Sequence, residues 1–254
     1  MDKVVAATCT ANGKTEGKHC SVCNTVLVKQ EATPKLSHSF GEWKTTVMPA
    51  VGKAGEATRT CVCGEKETKV LAALSENFTD VQSGDWFQDA VAWAATNGVT
   101  TGTSADTFSP LNPCTRAQVV TFLWRAAGEP EPTSTKNPFT DVIAGQYYYK
   151  AVLWAVENGI TNGMDATTFG TEIACNRGQV VTFLWRTAGQ PAPTSSKNPF
   201  TDVAKGAYYY DAVLWAVEMG ITNGMSDVTF VPETEAGICN RAQIVTFLFR
   251  YINK

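Results

Sequence analysis

Three arginines, Arg116, Arg177 and Arg241, stand in the look-alike segments CTRAQ, CNRGQ and CNRAQ, each one residue inside what reads as a helix start. A guanidinium is a planar fork of donors that can clamp a carboxylate with two parallel hydrogen bonds. The free N–H groups and positive dipole end of a helix N-terminus favour the same ligands. The chemistry on offer is recognition of an anion, three times over. The competing reading is internal: each arginine pairs with the aspartate of an upstream FTDV tetrapeptide, Asp80, Asp141 or Asp202.

The elements that must position these arginines repeat with them. FTDV recurs at Phe78, Phe139 and Phe200, 61 residues apart each time, and Trp93, Trp154 and Trp215 keep the same register. A unit that cannot bury its own apolar face implies a core shared between copies. In the first copy Phe87, Ala90, Val91 and Ala94 follow the spacing of an amphipathic helix. A glycine-containing segment that should run briefly extended leads to a second helix. Thr115 with Gln118 opens that helix as a capping box, and Asn176 with Gln179 and Asn240 with Gln243 repeat the device. Pro/Ser/Thr connectors separate the copies, and three such helix pairs should close around a common axis.

Other residues compete for a binding role. Trp86, Tyr147 and Tyr208 are equivalent and could stack on a sugar, although packing is the commoner fate at a helix start. The mid-helix tryptophans read as core. Gly102, Gly163 and Gly224 permit a positive φ or a close backbone approach.

Composition narrows the function classes. The chain has 254 residues, 44% of them apolar, and a net charge of −3. That charge carries no footprint for nucleic acid. No run approaches the roughly 18 apolar residues of a membrane span. The opening MDKVVAATCT lacks the apolar core of a secretion signal, and its start within a Cys-rich stretch favours a piece of a longer exported protein. No histidine lies beyond His38 and no G-x-S-x-G or H-E-x-x-H occurs, so the expectation is that these residues are not an enzyme.

FTDV, the AV-W helix, NGITNG, the TF turn and the arginine-bearing helix starts together resemble the S-layer homology domain. The resemblance covers residues 78–254. It implies a mainly α fold: a pseudo-threefold trefoil or prism of three helix–loop–helix repeats, at 75–136, 137–197 and 198–254. It also implies non-covalent anchoring of a surface protein to a Gram-positive cell wall. The implied partner is a secondary cell wall polysaccharide whose terminal sugar often carries a pyruvyl ketal, held in grooves between repeats. Arg116, Arg177, Arg241 and the glutamines, aspartates, aromatics and glycines named above are the ligand-binding candidates. Gln118, Gln179 and Gln243 stand where the family usually has Glu, which removes a carboxylate beside the anion. Gly178 replaces the usual Ala and should loosen the second site. Cys114, Cys175 and Cys239 take the place of a buried aliphatic residue and read as buried thiols.

Residues 1–74 read as a separate small β-hairpin module with a weak internal duplication and five cysteines. HSFGEW and CSVC resemble the Cys-containing β repeats that precede S-layer homology domains in clostridial surface proteins. Cys20, Cys23, Cys61 and Cys63 are candidate zinc ligands, with His19, His38 and Cys9 as further candidates. Disulfides and free thiols remain open alternatives, and no other cofactor is expected. Besides the wall anchor, two readings remain: an anchoring fragment of an exported enzyme, and a zinc-dependent interaction module tethered by the repeats.

Overall fold

The computed structural model describes residues 1–47, 49–74 and 78–254. The start of the first repeat, expected at residue 75, lies outside the described residues. The chain divides into two compact units, Met1–Met48 with Gly55–Leu71, and Pro49–Ala54 with Ala72–Lys254.

The first unit is built from short antiparallel strands. β1 (Gly13–Lys14), β2 (Lys18–His19), β3 (Val26–Val28) and β4 (Ala32–Thr33) pair as β1 with β4 and β2 with β3. β5 (Lys44–Val47), β6 (Gly55–Thr60) and β7 (Lys66–Leu71) form a meander in that order. These strands are largely polar, so they bury little. Among the described residues Ala57 and Cys61 are the buried apolar side chains of this unit, while Val4, Val26, Leu27 and Val62 stay exposed.

The second unit holds six helices among the described residues: α1 (Gln88–Thr96), α2 (Arg116–Ala126), α3 (Tyr149–Glu157), α4 (Arg177–Thr187), α5 (Tyr210–Glu218) and α6 (Arg241–Ile252). All three expected capping boxes form, on α2, α4 and α6. The second helix of each repeat packs on the first helix of the next: α2 on α3, α4 on α5, and α6 back on α1. Trp93, Trp154 and Trp215 are buried, as are Phe108, Phe169 and Phe230 at the centre of the core.

Backbone hydrogen bonds close the circle. The N–H of Cys175 donates to Cys114 O at 2.9 Å, that of Cys239 to Cys175 O at 2.9 Å, and that of Cys114 to Cys239 O at 3.0 Å. The three side chains are buried. Burial pushes the Cys114 and Cys239 thiols up to about 12 and the Cys175 thiol higher still, so they are inert packing groups.

The expectation of a mainly α protein is not met. Seven short strands in three sheets stand beside the helices among the described residues. Even within a repeat the helices are short, 9 residues for α1 and 11 for α2. Most of each repeat is loop, and side chains rather than ladders satisfy it. Asp80 accepts from the N–H groups of Phe108 and Ser109 at 2.8 and 2.7 Å. Asp141 accepts from Phe169, Gly170 and Thr171 at 2.8, 2.7 and 3.1 Å. Asp202 holds Phe230 and Val231 in the same way. With these donors paired, the glycine segments need no partner strand, and the brief extended run expected there is instead a series of turns.

Burial works against ionisation of Asp141, but its three backbone donors outweigh it and hold the carboxyl below the ordinary carboxylate range. A depressed folded pKa contributes stability that is present above the unfolded value and lost as pH falls through the folded one. Acid unfolding of the repeat unit should therefore be blunted in Asp141→Ala. At neutral pH that variant should lose about 2 kcal/mol in urea denaturation, because buried N–H groups lose their acceptor. An unchanged midpoint would remove this aspartate from the account of the loops.

Candidate functional site

The anion site expected at the helix N-termini is already filled by protein. In α2 the Arg116 N–H donates to Ile173 O at 2.8 Å and the Ala117 N–H to Thr171 O at 3.3 Å. In α6 the Arg241 and Ala242 N–H groups donate to Asn112 O and Pro110 O, both at 3.0 Å, and in α4 the Gly178 N–H donates to Pro232 O at 2.9 Å. Each acceptor comes from the loop of the following repeat, the third repeat being followed by the first. A Cβ on Gly178 would sit 3.1 Å from Pro232 O, so this docking is closely packed, although Ala117 and Ala242 make the equivalent bonds in the other two repeats.

The arginine side chains make the same step between repeats. Arg116 Nε donates to Phe169 O, Arg177 Nε to Phe230 O and Arg241 Nε to Phe108 O, all at 2.8 Å. Each guanidinium also lies over two phenylalanine rings, for Arg177 those of Phe230 and Phe247 at 4.6 and 5.5 Å. The three side chains are 3–4% exposed. Burial lowers their pKa values, yet from so high a starting point they remain charged at neutral pH. The expected Arg–Asp ion pairs do not form among the described residues. Instead one peptide joins the two groups: the Phe169 carbonyl accepts from Arg116 while the Gly170 N–H of the same peptide donates to Asp141.

Beside Arg241 and beside Arg116 lies a groove to which all three repeats contribute. The first, about 340 Å³, is lined by Gln118 and Gly102 of the first repeat, Tyr147 of the second and Arg241 of the third, with Arg125 and a run of threonines from Thr100. The second, about 310 Å³, brings together Gln179, Gly163, Arg186, Tyr208 and Arg116. The same register assigns Gln243, Gly224, Arg250, Trp86 and Arg177 to the third interface. Trp86, Tyr147 and Tyr208 are 60%, 52% and 50% exposed, so each offers a ring face to solvent. Burial and nearby acidic groups push the Tyr208 hydroxyl up to about 12, so it remains a neutral donor.

Gly102 has φ of +83° and a Cβ there would meet Phe78 Cε1 at 2.5 Å. It is both a turn residue and a groove wall. Gln118 Oε1 accepts from the Thr115 N–H at 3.1 Å within the capping box, so its amide group is left as a donor on the groove side. Asp80 and Asp141 are not among the residues lining these two grooves; like Asp202, they hold the loop backbone.

Two features escaped the sequence reading. A second arginine enters each groove from the last turn of the helix, Arg125 or Arg186, and donates to Val99 O or Ile160 O. The repeated LWR spelling was its signal. The grooves are also unequal. Arg116 Nη2 and Arg177 Nη2 reach Thr161 Oγ1 and Thr222 Oγ1 at 3.4 and 2.8 Å, whereas Arg241 Nη2 is buried with no partner among the described residues. Glu233, next to the three-residue insertion of the last repeat, lines the second groove, while no acidic side chain lines the first among the described residues.

The candidate metal residues are regrouped in the N-terminal unit. Cys61 and Cys63 meet Cys9 and His38 in a cluster that could hold a metal ion. Cys20 and Cys23 lie outside it, with Cys23 Sγ 3.2 Å from Thr25 Oγ1, and His19 Nδ1 pairs with Asp2 at 2.9 Å.

A family model described as S-layer homology domain matches residues 77–120, 138–181 and 199–235, once in each repeat. The chain is 30% identical over 118 residues to a cell surface protein of Thermoanaerobacter kivui, across 45% of this chain and 15% of that protein. It is 30% identical over 131 residues to a surface-layer 125 kDa protein of Lysinibacillus sphaericus, across 52% and 11%. A third similarity, 28% over 178 residues, is to an endoglucanase of Bacillus sp. strain KSM-635, across 67% and 18%. The match thus spans less than a fifth of the length of each of these relatives.

The arginine geometry makes a structural prediction. Arg177→Lys keeps the charge but removes the Nε donor and the planar fork, so Phe230 O loses its partner in a buried site. The variant should lose about 2 kcal/mol in urea denaturation. A wild-type midpoint would mean the inter-repeat bond is dispensable.

Proposed function

The three repeats of this chain belong to the S-layer homology domain family and act as an anchor at the cell surface or wall; from that premise we propose that the inter-repeat grooves bind an anionic, pyruvylated secondary cell wall polysaccharide. The observation that carries this reading is Arg241 Nη2, a buried charged donor without a protein partner on a groove free of acidic lining among the described residues. A buried cationic donor left unpaired is costly, and a ligand carboxylate would satisfy it. Arg125 supplies a second positive charge, Gln118 an amide donor, and the exposed Tyr147 ring a face for an apolar sugar surface. At about 340 Å³ the groove falls within the usual range for small-ligand sites. The repeats are read as residues 75–136, 137–197 and 198–254, with Arg116 and Arg177 serving the other two grooves. Several modest sites on one polymer would add up to durable attachment.

The endoglucanase relative favours a second reading, in which such repeats tether a catalytic protein to the wall. The two are compatible, since the tether would use the same grooves.

Calorimetric titration with wall-polymer fragments, native and stripped of pyruvate, tests the proposal. The native fragment should bind and the stripped one should bind at least about tenfold more weakly. Tyr147→Ala removes an exposed ring and should weaken binding by about tenfold without moving the unfolding transition. Equal binding of both fragments would sink the anionic reading and leave the anchor itself standing.

A further inference from the structure

We propose that Cys9, His38, Cys61 and Cys63 form a tetrahedral zinc site that staples the N-terminal unit. Their four ligand atoms lie within 4.8 Å of one another. Cys9 Sγ is 4.0 Å from Cys61 Sγ, and Cys63 Sγ is 3.3 Å from His38 Nδ1. A zinc–sulfur bond of about 2.3 Å in a tetrahedron sets neighbouring ligand atoms about 3.8 Å apart, and three cysteines with one histidine are a recurrent structural zinc set. The cluster therefore needs only small side-chain adjustments to close on an ion.

The backbone explains how a Cys-x-Cys pair serves. Cys61 and Cys63 sit in the turn joining β6 to β7, which the Cys61 N–H closes on Glu65 O at 2.8 Å and the Gly64 N–H closes on Cys61 O at 2.8 Å. Gly64 adopts φ of +92° there. This tight turn presents both sulfurs to a third ligand from the N-terminal segment and a fourth from the approach to β5. The ion would thus join three stretches of the unit that are far apart in sequence.

The need for such a joint is visible in the packing. Ala57 and Cys61 are the buried apolar side chains of the unit among its described residues, and domains this small with so little core depend on metals or disulfides. A single disulfide would use two of the four converging groups and leave the third thiol and the imidazole idle. One zinc ion engages all four, with the three thiols giving their protons to solvent and His38 binding as the neutral ring.

The full chain, reduced and stripped of metal with a chelator, is titrated with Zn²⁺ and with Co²⁺ as a spectroscopic probe. About one equivalent should bind, with thiolate-to-cobalt charge transfer and tetrahedral ligand-field bands. Cys63→Ser and His38→Ala, both at exposed positions, should each weaken binding at least about tenfold. The Cys20→Ser/Cys23→Ser double variant should bind as the parent does. Absence of tetrahedral cobalt binding by the reduced chain would overturn the proposal. So would binding that depends on Cys20 and Cys23 but not on Cys63. A disulfide from Cys9 to Cys61 or Cys63 in the isolated protein, with no metal uptake after reduction, would assign the staple to sulfur chemistry instead.

Discussion

Each buried arginine hands its Nε proton to a phenylalanine carbonyl of the next repeat, and Arg241 hands its own back to the first, at Phe108. A cation taken out of water without a facing carboxylate is expensive. Here the expense is met in three ways at once: the carbonyl bond, two aromatic faces, and a loop backbone whose N–H groups are held by an aspartate. The parts are interdependent. Removing the aspartate frees the loop that presents the carbonyl, and removing the arginine strands the carbonyl in the core. Beside this ring the cysteine backbones form a second one, where three segments of the chain converge on buried thiols. An open stack of repeats requires special capping copies at its ends. A ring has no ends, so the third repeat serves as cap for the first.

The same bonds create the surface on which binding would occur. An arginine long enough to reach the neighbouring repeat must cross the interface, and Arg241 and Arg116 thereby line the first and second grooves. The Nε end holds the fold in all three side chains, and threonine hydroxyls also hold the Nη2 of Arg116 and Arg177, so any contact with a ligand would be added to a structural role. Sequence differences between copies then grade the grooves. Pro232 of the last repeat docks on Gly178 as Pro110 and Thr171 dock on Ala242 and Ala117, and Glu233 beside it lines the second groove. The first groove is left with Arg241 Nη2 without a partner and no acidic lining among the described residues. Near-identical repeats thus yield sites of different electrostatic character.

The period, the capping boxes, the buried tryptophans and the inert thiols were legible because each depends on residues close in sequence. The arginine partner was not. Asp141 and Arg177 share a repeat, so a pairing between them looked natural, whereas the actual acceptor of Arg177 is Phe230, 53 residues further on. That step is set by the closure of the ring, which no local pattern encodes. The helix N-termini looked like open anion sites for the same reason: the carbonyls that fill them arrive from another repeat. Helix content was overestimated because the periodic segments dominate the pattern, while aspartate-held loops carry no periodicity at all. In the N-terminal unit the Cys20–Cys23 spacing drew attention, yet a turn and a distant strand approach bring Cys9 and His38 to Cys61 and Cys63 instead.

The central claim is that one set of arginines both closes the ring and meets the ligand, with Arg241 the most available. Nitrogen-resolved NMR of the arginine side chains, with and without a pyruvylated wall-polymer fragment, tests it directly. The Nε protons of Arg116, Arg177 and Arg241 should exchange slowly with water in the free protein, as buried bonded donors do. On adding the fragment, the Arg241 Nη resonances should shift most while its Nε proton stays protected. Rapid exchange at all three Nε positions, or a fragment that binds while leaving Arg241 unperturbed, would contradict the account.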